Sequence, residues 1–92
     1  MHTDEYEISL AREISHCEQV VKKMKEALRK RGQRYRLDYD EAARAVAEGS
    51  LSVPAKELAD WREDIEALPV WEQRLEEYRE ALAMMRISAS RF

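Results

Sequence analysis

The chain has 92 residues, 19 acidic and 16 basic side chains, a net charge of −3, and only two glycines and two prolines, which leaves room for one domain with little turn material. Glu, Ala, Lys, Arg and Leu dominate, as in long helices, and an apolar share of 45% is too high for a disordered chain. The single cysteine, Cys17, excludes an internal disulfide, no apolar run approaches a membrane span, and the start Met1-His2-Thr3-Asp4-Glu5 lacks the basic and apolar stretches of a secretory leader, so the expected compartment is the cytoplasm, with no membrane partner.

Leu10, Ile14, Cys17, Val21, Met24 and Leu28 are spaced alternately four and three apart, the 3.5-residue period of a coiled-coil seam. With Leu10 at heptad position d, Ile14, Val21 and Leu28 occupy a, and Cys17 and Met24 occupy d. Val20 and Ala27 widen the stripe. Thr3 or Asp4 is placed to cap this helix. Arg29, Lys30 and Arg31 lie in its last turn, where cations complement the helix dipole, and Gly32 follows as a C-cap. The pattern predicts a helix over about residues 3–31.

Residues 33–37 read as a connector. Asp38 with Glu41 three later forms an acidic capping box, and Ala42, Ala43, Val46 and Ala47 predict a short helix over about 39–48, ended by Gly49. Pro54 suits the first turn of the next element, a helical region over about 54–88. Its first stripe is Leu58, Trp61, Ile65 and Leu68. Its second is Trp71, Leu75, Tyr78, Leu82 and Met85, extended by Ala89 and Phe92. The two stripes slip out of phase across Leu68-Pro69-Val70. A proline inside a helix removes a hydrogen bond and clashes with the preceding turn, so a kink or a break is expected at Pro69.

A helix with an apolar stripe must bury it. The expected architecture is all-α: a long antiparallel, coiled-coil-like helical hairpin with a short helical elbow, within a single domain over 1–92. Charge supports the pairing. From Lys22 to Arg36 there are eight cations and one acid, and from Glu57 to Glu66 five acids and one cation. An antiparallel hairpin lays these stretches side by side, which selects register more than it adds stability. Trp61, Trp71, Tyr78 and Phe92 are large for two helices to cover, so a homodimer completing a four-helix bundle is expected.

Chemistry is sparsely signalled. Glu13 and His16 have the Glu-x-x-His spacing of di-iron bundles, but His16 falls at heptad position c, away from the seam, and reads as a solvated face. His2 and Cys17 do not complete a zinc set. Ser15-His16-Cys17-Glu18 resembles, over these few residues, the Ser-His-acid stretch of histidine-kinase dimerisation helices. Here Cys17 separates the histidine from the acid, and the downstream proline of that family is missing. Cys17 at a seam position reads as a core hydrophobe. No Gly-rich phosphate loop is present. No catalytic residue, metal or cofactor is expected.

The functional expectation is a non-enzymatic protein–protein interaction or scaffold module of the adaptor, small-chaperone or regulatory-subunit type, which self-associates through its heptads. A second protein partner would meet Trp71, Ile87 and Phe92. The alternative is a nucleic-acid-binding regulator using Lys22, Lys23, Arg29, Lys30, Arg31, Arg34 and Arg36 as phosphate or acidic-partner contacts, with residues 42–61 resembling a helix-turn-helix. Glu57, Asp60, Glu63 and Asp64 on the would-be recognition helix, and the net negative charge, count against nucleic acid.

Overall fold

A computed structural model describes residues 5–90, with side chains through residue 87. The described residues form three helices and no strand: α1 (Glu5–Tyr35), α2 (Tyr39–Ala47) and α3 (Ala55–Ser90). The all-α class read from the heptads is therefore correct. The caps proposed at Thr3 or Asp4 lie outside the described residues, as does Phe92.

The end of α1 departs from expectation. Gly32 does not cap the helix, which continues to Tyr35 and takes in most of the stretch read as a connector. The left-handed residue that closes it is Arg36, at φ 55°. A glycine inside a helix costs about 1 kcal/mol relative to alanine. The extra turn brings Arg34 and Tyr35 to Glu57, contacts that no local signal near Gly32 announces.

The start of α2 follows its sequence signature. The Asp38 carboxylate accepts from the Glu41 N–H at 2.8 Å, and the Asp38 N–H donates to the Glu41 carboxylate at 3.2 Å, so the capping box is complete. Its end is a Schellman motif. The Ser50 N–H reaches the Ala45 carbonyl at 2.9 Å and the Gly49 N–H reaches that of Val46 at 3.0 Å. Gly49 sits at φ 79°, where a Cβ would be strained.

Pro54 precedes α3, and its carbonyl accepts the Leu58 N–H at 3.0 Å. The helix then runs for 36 residues, unbroken through Pro69, so the clean break held open at that position does not occur. The bond lost is the one to the Ile65 carbonyl. Ile65, Glu66, Pro69 and Val70 are all exposed, so the helix crosses the proline on a solvent-facing side.

The chain forms two compact units: a discontinuous one from Met1–Lys22 with Pro69–Phe92, and a continuous one from Lys23–Leu68. The boundary on α3 coincides with the slip between the two apolar stripes. Within the discontinuous unit, Glu18 pairs with Arg79 at 2.9 Å and Glu7 approaches Arg86 at 3.8 Å. Within the continuous unit, Arg31 pairs with Asp64 at 2.6 Å and Arg34 with Glu57 at 2.9 Å. In each unit the number on α3 falls as that on α1 rises, so the two helices run antiparallel there. Leu10, Cys17, Val21 and Leu75 form the buried core of the first unit, and Ala42, Val53 and Trp61 that of the second.

Candidate interaction site

In the continuous unit the organising side chain is Trp61, only 2% exposed. Tyr35 from the end of α1 stacks on it, with ring centres 5.7 Å apart and planes at 23°. Tyr39 from the start of α2 meets it edge-on at 5.9 Å and 76°. Both geometries suit the ring quadrupoles, and together they gather all three helices on one ring. The Glu57 carboxylate accepts the Tyr35 hydroxyl on one oxygen and the Arg34 guanidinium on the other, each at 2.9 Å. One turn or two further on, Arg31 and Asp64 form a half-buried pair. These contacts realise the expected opposition of a basic α1 stretch and an acidic α3 stretch.

A groove of about 440 Å³ opens beside Trp61. Leu28, Gly32, Leu37 and Ile65 are among its apolar lining, and Arg36 also borders it. A second, of about 370 Å³, lies on the other side of Tyr39, against Leu58, Ala59 and Arg62. Asp38 and Glu41 also border the first groove, but their carboxylates are occupied by the α2 cap.

In the discontinuous unit, Trp71 is half-buried between His16, edge-on at 5.8 Å, and Arg74, whose guanidinium carbon lies 4.9 Å over the ring. His16, read as a solvated position, is exposed yet contributes to this packing. Cys17 is fully buried, as its seam position suggests.

The seam residues divide by depth. Leu10, Cys17, Val21, Trp61 and Leu75 are buried, whereas Ile14, Met24, Leu28, Leu58, Leu68, Trp71, Tyr78, Leu82 and Met85 are half-buried. Ile65 is 38% exposed, because it faces the open groove. Of the residues expected to meet a second partner, Ile87 is exposed and Trp71 is held as described.

No family model matches the chain, and no curated protein or solved structure matches it.

The basic stretch is split in its use. Arg31 and Arg34 serve α3, and Arg29 pairs with Glu26 one turn back. Lys22, Lys23, Lys30 and Arg36 are exposed. The Glu26 carboxylate, hydrogen-bonded to Arg29, raises that guanidinium above its ordinary pKa, and Glu66 does the same for Arg62. Both groups are charged at neutral pH in any case. The segment resembling a helix-turn-helix has seven residues, 48–54, between α2 and α3, where that motif uses a turn of three or four. Its second helix also places Trp61 in the core and engages Glu57 and Asp64 with arginines. What sequence reasoning did not find is the Tyr35–Tyr39–Trp61 cluster. Its one legible signal was the tyrosine before and after the Arg36–Asp38 connector.

No described helix is long and apolar enough to cross a membrane. No group of three or more His, Cys, Asp or Glu side chains among the described residues is placed to hold a metal ion.

Proposed function

We infer that this chain is a non-enzymatic protein–protein interaction or scaffold module, acting in the cytoplasm, that self-associates through its heptad-patterned helices. In this reading α1 and α3 form one antiparallel hairpin, α2 is its elbow, and two copies complete a four-helix bundle.

The observation that carries this reading is the amount of surface left uncovered. A compact monomer of 10.9 kDa exposes about 5,600 Å² by the usual size scaling, against 7136 Å² for this chain. The difference, roughly 1,500 Å² on one chain, exceeds the ~800 Å² that each partner contributes to a standard interface. Most seam side chains remain half-buried, as expected of stripes awaiting a further helix face. A scaffold needs faces rather than converging catalytic groups. The aromatic clusters hold such faces rigid, because ring contacts fix each helix with few rotatable bonds.

Sedimentation equilibrium at micromolar concentration tests it. The expected result is a species of twice the chain mass. A single folded species at 10.9 kDa overturns the proposal.

A further inference from the structure

We propose that the two grooves flanking Tyr39 receive a basic amphipathic helix from a second protein, with one apolar anchor seated on each side of the tyrosine. This rests on the reading of the chain as an interaction module and names the chemistry of its partner; it does not depend on self-association.

Both grooves belong wholly to the continuous unit, since their lining residues fall between Leu28 and Glu66 and that unit spans Lys23–Leu68. The first, of about 440 Å³, takes its apolar surface mainly from Leu28, Leu37, Trp61 and Ile65. The second, of about 370 Å³, takes its own from Ala55, Leu58 and Ala59. Tyr39, half-buried, lines both. A helix docks on such a surface through apolar side chains one or two turns apart, a spacing of ~5–11 Å. Two anchors so spaced straddle a single ring. Gly32 adds room to the first groove: a Cβ there would meet only the Leu37 carbonyl oxygen, at 3.9 Å, so nothing in the unit requires glycine at that position.

Charge identifies the partner. Asp38, Glu41, Glu63 and Glu66 border the grooves against two cations, Arg36 and Arg62. Arg62 is paired with Glu66 at 3.0 Å, which leaves three acids against Arg36. The Asp38 and Glu41 carboxylates accept backbone N–H groups, which satisfies them without cancelling their charge. The α2 N-terminus offsets about half a unit of it. Glu63 is exposed and joins no ion pair among the described residues. On α1, Arg29, Arg31 and Arg34 are paired with Glu26, Asp64 and Glu57, and Lys30 lines neither groove. An apolar trough with an acidic border favours a helix whose apolar anchors are flanked by lysine or arginine. A second copy fits less well. Its described large exposed hydrophobics are Tyr6, Ile8, Ile65, Val70, Met84 and Ile87, and none lies in its basic stretch, residues 22–36.

The test titrates the full chain into labelled helical peptides of about five turns, read by fluorescence anisotropy. One peptide carries leucines at i, i+4 and i+7 among lysines; a second has glutamate for every lysine; a third has alanine for every leucine. The first should bind at least about tenfold more tightly than either of the others. Gly32→Leu fills the first groove and should weaken that binding at least about tenfold. Glu63→Arg inverts a charge at the second groove and should weaken it at least about threefold. Glu80→Arg makes the same charge change outside both linings and should leave it within about twofold. Circular dichroism checks that each variant keeps its helices. The proposal is overturned if the lysine peptide does not bind, if the glutamate peptide binds as well, or if Glu63→Arg and Glu80→Arg lose equally. If the lysine peptide does not bind and Gly32→Leu dissociates a wild-type dimer in sedimentation equilibrium, the grooves hold a second copy instead, so this assignment falls while self-association stands. A monomeric chain that binds the lysine peptide with the expected variant losses keeps this site and loses self-association.

Discussion

Trp61 is the largest of the side chains buried in the continuous unit. Its ring is buried and touched by Tyr35 and Tyr39. Truncation to alanine removes the surface on which α2 and the end of α1 rest. Trp61→Ala should cost about 3–5 kcal/mol, a large share of the stability of so small a domain. Tyr35→Phe keeps the stacked ring and removes only a partly exposed hydrogen bond to Glu57, so its cost should be about 0.5–1.5 kcal/mol. Urea unfolding followed by tryptophan fluorescence checks the order; equal losses would show that the hydroxyl, not the ring, anchors the helices. The raised Arg29 and Arg62 pKa values belong to pairs whose stabilisation is present below the unfolded-state value and is lost only as pH rises past the folded-state one. That window is strongly alkaline, so these pairs add no pH dependence near neutrality.

The helices differ in how locally they are specified. α2 is bounded by its own side chains: Asp38 and Glu41 at one end, Gly49 at the other. α3 is specified against a local cost. Pro69 lacks the N–H that would bond the Ile65 carbonyl, yet the helix continues because residues on both sides are held by packing, Trp61 and Leu68 before it and Trp71 and Leu75 after it. Where packing overrides a helix breaker, relieving the breaker should stabilise. Pro69→Ala should therefore raise unfolding free energy by about 1–3 kcal/mol, measured by chemical denaturation. A loss of stability on this substitution would mean that the proline geometry is itself needed to turn the apolar stripe from the first unit's phase to the second's. The same tension appears at Gly32, where α1 continues for the contacts of Arg34 and Tyr35.

For the molecule as a whole, the ion pairs between α1 and α3 contribute direction more than stability. The exposed Glu18–Arg79 pair is worth at most about 1 kcal/mol, and among the described residues Arg31–Asp64 alone is half-buried on both sides. Stability must then come from apolar burial, and seven hydrophobic residues are buried among those described in one copy. The self-association proposed above would bury the half-covered seam. It predicts that the melting temperature rises with protein concentration, since a partner that binds only the folded form stabilises it by mass action. A melting temperature constant over a hundredfold range of concentration, read by circular dichroism, would contradict it.

The heptad spacing, the Asp38–Glu41 box, the Gly49 stop and the opposed charges of residues 22–36 and 57–66 were legible without coordinates, because each acts over a few residues or through simple charge. They determined an all-helical chain, the limits of α2 and the slip at Pro69. Tertiary contact was needed for the rest. α1 outruns Gly32 because Tyr35 and Arg34 find Glu57 and Trp61, more than twenty residues away. Ile65 belongs to a seam by spacing, yet it lines an open groove that it shares with Gly32, which has no side chain to cover it. Periodicity reports which face of a helix is apolar; the depth to which each residue is covered depends on what the neighbouring helix places against it.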